Sequence, residues 1–217
     1  MDHPYTEHGL PKSHGIFSKT FLIAAFVGGC LTVTLIRPLL KREPPLPEVL
    51  FDLPAYELVD QNGRAFGSKD IEGKVHIAAM FFTRCKTICP KITKAMKGMS
   101  AKITDGQLDI ELVSMTIDPE HDTPAVLSAY AKDNDLKLDQ WHLLTGDTKA
   151  ITDLIMSGFK QHLGDKTTSP KGDMEIMHSG KLFLVDKHGG LRGLYDSDAP
   201  GTDEAFHRAI HLTKRTQ

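Results

Sequence analysis

The sequence predicts a mixed sheet flanked by helices, preceded by one N-terminal transmembrane helix. Three observations predict it. Thr20 to Ile36 carries no charged residue. From Leu53 onward, short apolar runs alternate with segments whose apolar residues recur at helical spacing. Two cysteines, Cys85 and Cys89, stand where the strongest apolar run gives way to a helical pattern.

The 217 residues suffice for one domain of ordinary size plus a tail. Hydrophobic residues make up 40% and charged residues 25%, the balance of a chain that can build its own core. A formal net charge of -2 removes the bulk electrostatic case for a nucleic-acid partner. Three cysteines are too few for a disulfide-stapled fold and fit one functional pair, with Cys30 apart in the apolar segment.

Residues 1–19 are polar and read as a tail; its His3, His8 and His14 are solvated rather than ligands. Residues 20–40 read as the membrane anchor. The uncharged run is at the lower limit for crossing a bilayer, about 17 residues. A cleaved signal is the rival reading, and Val27-Gly28-Gly29-Cys30 has the look of a lipoprotein processing box. Leu31 to Ile36 stays apolar after Cys30, which favours the anchor. Lys12 and Lys19 precede the span, and Arg37, Lys41 and Arg42 follow it. Charge alone therefore leans toward a body left in the cytoplasm. Residues 41–52, with Glu43-Pro44-Pro45-Leu46-Pro47, form a stiff linker, and 53–217 form the domain.

Leu53 to Asp60 alternates and turns at Asn62-Gly63, a hairpin signal. Val75 to Phe82 is continuously apolar, as in a central strand covered on both faces; His76 within it reads as a satisfied, partly buried residue. Lys91 to Ile103 is helical, with Met96 and Met99 as core fillers. Leu108 to Ile117 is a strand. Asp122 or Thr123 then caps a helix over Ala125 to Lys132, with Pro124 in its first turn. Trp141 to Leu144 is a short strand. Asp147 or Thr148 caps a helix to Phe159. Gly164 to Met177 reads as one long loop. It leads through His178 into a strand, Lys181 to Val185, an antiparallel return, Leu191 to Tyr195, and a closing helix, Asp203 to Lys214. A dithiol at the first strand-to-helix turn of such a sheet is the thioredoxin-like arrangement.

The site is read from the same turn. If the helix begins near Cys85, both sulfurs share a face of its first turn; in a looser turn they still lie close enough to form a disulfide. A helix N-terminus favours thiolate, and Arg84 and Lys86 add positive charge, so two acidic, partly exposed, nucleophilic thiols are expected. Thiolates suit Cu(I), and an added imidazole suits Cu(II). His178 is the best third ligand by position, weighed evenly against being one more surface histidine.

Thr83-x-Cys85-x-x-x-Cys89-Pro90, then Asp118-Pro119-x-x-Asp122-Thr123, then His178 before an antiparallel hairpin, resembles the SCO/SenC family of copper-binding assembly proteins. Leu58-Val59-Asp60-Gln61-Asn62-Gly63 and Gly73-Lys74-Val75 are similar to the family's entry segment. The resemblance implies a thioredoxin-like domain tethered to the bacterial inner membrane and facing the periplasm. Cys85, Cys89 and His178 would bind copper, taken from a periplasmic copper donor, for the binuclear centre of cytochrome c oxidase subunit II. Asp118 would tune the site from behind, against a plainer role as the turn residue before Pro119. One departure stands out: family members carry an acidic residue directly before the histidine, whereas Ile176-Met177 follow Glu175 here. Met177 is thereby a candidate for a weak axial contact. The alternative function is a thiol-disulfide oxidoreductase or redox sensor that needs only the redox-active pair, Cys85 and Cys89.

Overall fold

The structure is a computed structural model, and it describes residues 19–40, 45–168, 174–176 and 180–214, with side chains left out at 37–40, 166, 168 and 174–176. The chain divides into two compact units, the second beginning at Leu46. In the first, α1 (Lys19–Leu40) is a 22-residue helix, about 33 Å long at 1.5 Å per residue. That matches a hydrocarbon core of about 30 Å. Its apolar side chains are exposed, Phe26 at 73%. The Thr32 and Thr34 hydroxyls donate to the Gly28 and Cys30 carbonyls, both at 2.7 Å. Both of these hydroxyls are thereby satisfied within the helix itself.

The second unit is built on one eight-stranded sheet. Its strands are β1 (Phe51–Asp52), β2 (Glu57–Asp60), β3 (Ala65–Gly67), β4 (Val75–Phe81), β5 (Ile110–Thr116), β6 (Trp141–Thr145), β9 (Lys181–Val185) and β10 (Gly190–Asp196), in the order β1-β10-β9-β4-β5-β6-β2-β3. A separate two-stranded hairpin is β7 (Lys166–Thr168) with β8 (Met174–Ile176). The helices are α2 (Cys89–Gly106), α3 (Pro124–Asp133), α4 (Thr148–Asp153) and α5 (Ala199–Lys214). β4, β5 and β6 are parallel, while β9 runs antiparallel to β4.

Every residue of β4 and β5 is buried, as strands covered on both faces require. That includes Glu111. Its carboxylate accepts from Lys74 Nζ at 2.5 Å and meets His142 Nε2 at 3.1 Å, so a charge in the sheet is matched on both oxygens. α2 and α5 pack together over β4 and β5. Met96 and Met99 are in the core, at 0% and 1% exposure. The β2–β3 hairpin turns through Asn62-Gly63, with Gly63 at φ 77°, a left-handed conformation glycine adopts without strain.

Three readings are refined. Residues 164–177 are not one structureless loop, since β7 and β8 pair within them. The Lys166, Thr167 and Thr168 run carries the β-branched signal for that. The helix after Asp147 regularises only to Asp153 and then widens into a π-helical turn, Leu154–Gly158. Of the two capping candidates before α3, Thr123 is the cap, its hydroxyl accepting from Val126 N; Asp122 is used elsewhere.

Candidate metal centre

β4 ends at Phe81, and the chain turns tightly, Cys85 N donating to the Phe82 carbonyl at 3.2 Å. α2 begins at Cys89, with Pro90 in its first turn, where no helical partner is needed for its missing N–H. Of the two geometries open from sequence, the looser holds: Cys89 opens the helix and Cys85 lies in the turn before it. The Cys89 N–H still points at Cys85 Sγ, at 3.4 Å. One sulfur therefore receives a backbone donor at a helix N-terminus, the setting in which negative charge is favoured. Neither cysteine is in a disulfide.

The expectation of two acidic, partly exposed thiols is not met. Cys85 is 8% exposed and Cys89 1%. The Cys89 thiol is pushed well above the ordinary cysteine range, first by its hydrogen bond to Cys85 and then by burial. Two sulfurs this close cannot both ionise freely, so the pair retains a proton until something replaces it. Arg84 does not lend its charge to the sulfurs alone. Its guanidinium donates to Asp118 Oδ2, from Nη2 at 2.5 Å and from Nε at 3.2 Å.

Asp118 has the plainer of the two roles the sequence allowed, and a partner as well. It shapes the turn after β5, its carbonyl accepting from His121 N and Asp122 N. It is also fully buried and holds the residue next to Cys85.

Asp122 was visible in the sequence as a helix-cap candidate and as a member of the Asp118 to Thr123 box, with no site role assigned to it. It is buried at 0% exposure and fastens the cysteine turn to the sheet. Its carboxylate accepts from Thr83 N at 3.0 Å, Thr83 Oγ1 at 2.5 Å and Thr116 Oγ1 at 2.5 Å, and meets His121 Nδ1 at 2.9 Å. The available signal was the doubling of cap residues, Asp122-Thr123: Thr123 does the capping, which leaves Asp122 for another task. Asp118, His121 and Asp122 also place their ligand atoms within 4.8 Å of one another. Arg84 and the two threonines already occupy that cluster.

His178 and Met177 lie outside the described residues. Gly180, which is described, packs against Ile88, the residue before Cys89. A Cβ on Gly180 would overlap Ile88 Cδ1. The end of the segment that carries the histidine in sequence therefore lies against the cysteine turn.

The SCO1/SenC family model matches residues 52–213. A protein from Stutzerimonas stutzeri named for copper binding is 32% identical over 160 residues, covering 71% of each chain. The crystal structure of a SCO1/SenC family lipoprotein from Bacillus anthracis superposes with a TM-score of 0.70 at 28% identity, covering 78% of this chain and 99% of that one. BsSco, a member of the Sco family of cytochrome c oxidase assembly proteins in which a disulfide switch was identified, superposes with a TM-score of 0.66 at 25% identity, covering 81% and 99%. The match spans the cysteine turn, the Asp118 to Thr123 box and the closing helix together, and the chain belongs to the SCO1/SenC family.

Proposed function

We propose that this chain is a membrane-tethered copper carrier that takes copper from a periplasmic donor and supplies it to the binuclear copper centre of cytochrome c oxidase subunit II. The tail is 1–19, the anchor 20–40, the linker 41–52 and the carrier domain 53–217, held at the bacterial inner membrane and facing the periplasm. Cys85, Cys89 and His178 hold the metal, with Asp118 behind them through Arg84.

The observation that carries this reading is the sulfur pair at the mouth of α2, with a backbone N–H on Cys85 Sγ. Two soft donors in a protected turn suit Cu(I), and one imidazole added to them suits Cu(II). The donor set fits copper better than structural zinc, which takes four protein ligands. Gly180 supports His178 as the third ligand. Gly180, two residues on from His178 in the chain, lies against Ile88, the residue before Cys89. Because the Cys89 proton is held tightly, metal loading proceeds with proton release. The S. stutzeri relative is named for copper binding, and BsSco belongs to a family of oxidase assembly proteins.

The test is transfer. Full-length chain in detergent, half of it loaded with Cu(I) and half with Cu(II), is mixed with copper-free subunit II copper domain whose cysteines are reduced. The mixed-valence copper spectrum of subunit II should grow as the carrier loses metal. Copper that stays on the carrier, or equal transfer by Cys85→Ser, would overturn the reading.

A second reading rests on the closeness of the same sulfurs. Cys85, the more accessible, attacks a partner disulfide as thiolate and releases one partner thiolate. Cys89 then attacks the mixed disulfide, closing Cys85–Cys89 and releasing the second partner thiolate. Two electrons pass to the partner. This reading needs no histidine. Full oxidase assembly with His178→Ala, together with reduction of a subunit II disulfide by the metal-free chain, would select it.

A further inference from the structure

α2 carries Cys89 at its start, and its buried face is not wholly apolar. Thr93, one turn on from Cys89 and on the same face, is 8% exposed. Its hydroxyl meets the Tyr130 hydroxyl of α3 at 2.8 Å. The Tyr130 ring lies against Phe81, the last residue of β4, with ring centroids 5.5 Å apart and planes tilted by 46°. One side chain therefore touches both elements that bound the cysteine turn, the strand before it and the helix after it.

α3 is itself fixed at that end of the sheet. Thr123 caps it, and Asp122 beside the cap is bonded to Thr83 and Thr116. Burial raises the Tyr130 hydroxyl above the ordinary tyrosine range against the pull of the Thr93 hydrogen bond, and the charges of Cys89, Cys85 and Asp122 push it further up. The hydroxyl therefore stays protonated beside the sulfur pair. Apolar side chains at 93 and 130 would fill the same contact with no polar group to satisfy. What two hydroxyls add is direction. A hydrogen bond fixes distance and angle, whereas apolar contact is non-directional.

We infer that Tyr130 is a positioning residue for the dithiol: through Thr93 it fixes the first turns of α2, and with them the place of Cys89 relative to Cys85. The two sulfurs are unbonded in this arrangement. Closing a disulfide brings them to about 2 Å and requires the start of α2 to give. The brace therefore favours the dithiol, the form that takes a metal or reduces a partner. The inference rests on the sulfur pair, which both readings of function share, and its test contains no copper.

Full-length chain in detergent is equilibrated with mixtures of reduced and oxidised dithiothreitol. Oxidised dithiothreitol takes two electrons and two protons from Cys85 and Cys89 and becomes the reduced dithiol as the protein disulfide closes. Alkylation and mass spectrometry read these two cysteines apart from Cys30. Tyr130→Phe keeps the ring against Phe81 and loses only the hydroxyl; Thr93→Val removes the other hydroxyl. Each should shift the equilibrium about threefold or more toward the disulfide. Thr93→Ser should keep the wild-type value. Ser100→Ala is the control, because Ser100 ties α2 to the Lys137 carbonyl at 3.3 Å, about three turns beyond Cys89. It should lower the urea midpoint and leave the equilibrium unmoved. A folded Tyr130→Phe or Thr93→Val with the wild-type equilibrium, or one moved toward the dithiol, overturns the inference. An equal shift in Ser100→Ala or in Thr93→Ser overturns it too, since the effect would then not belong to this hydrogen bond.

Discussion

Asp122 is a fully buried carboxylate, and three of its donors belong to Thr83 and Thr116. Asp122→Ala leaves the Thr83 N–H and two hydroxyls without their acceptor at about 1–3 kcal/mol each, so a loss of about 3 kcal/mol or more is expected in urea unfolding. Asp122→Asn keeps one oxygen acceptor and should lose less than Asp122→Ala; equal losses would mean the carboxylate is not the post. Arg84 and Asp118 make a second test. Arg84→Met strands the Asp118 carboxylate, buried at 0% exposure, and should cost about 2–4 kcal/mol. Adding Asp118→Asn should recover most of it, because the neutral amide no longer needs a counter-charge. A double-mutant cycle with no coupling would contradict that pairing. Neither partnership was legible beforehand. Composition and spacing showed the Asp118 to Thr123 box, but which of two adjacent cap residues caps, and which turns inward, is decided by tertiary contact.

At the scale of elements, the strongest periodicities were read most closely. β4, β9 and α2 lie within a few residues of their expected places, because continuous apolar runs and a helical stripe have few other solutions. The β7–β8 hairpin and the π-helical turn were missed, since short polar strands and an i→i+5 widening leave almost no pattern. His76 tests β4 directly. Its folded pKa, about 4, lies below the usual histidine value of about 6.5. Between those values the unfolded chain binds the extra proton, so stability falls as pH falls through that window and is unaffected above it. From pH 7 to pH 5 the wild type should lose about 2 kcal/mol that His76→Leu does not lose. Urea midpoints at the two pH values measure the difference. Parallel losses in both proteins would mean that His76 is protonated as readily folded as unfolded.

For the whole molecule, α1 and the unit from Leu46 onward are separate pieces of physics. One is an exposed apolar helix and the other a domain with its own core. The full chain should sediment with membranes and resist carbonate extraction, while a chain beginning at Leu46 should be soluble and folded. Extraction of the full chain by carbonate would remove the anchor from the account. The sequence reached the class, the sheet and the cysteine turn, because each has a local signal. It offered the histidine by position and by resemblance, since no local pattern joins residue 178 to residue 85; the tertiary contact on the described residues is that of Gly180 with Ile88. The central claim is therefore three ligands on one metal, two local and one distant. Titrating the Leu46 domain with Cu(I) and Cu(II), with absorption spectra of the wild type, Cys85→Ser and His178→Ala, tests it most directly. The account predicts one copper per chain and a thiolate-to-Cu(II) charge-transfer band that is lost in either variant. No band in the wild type, or an undiminished band in His178→Ala, would contradict it.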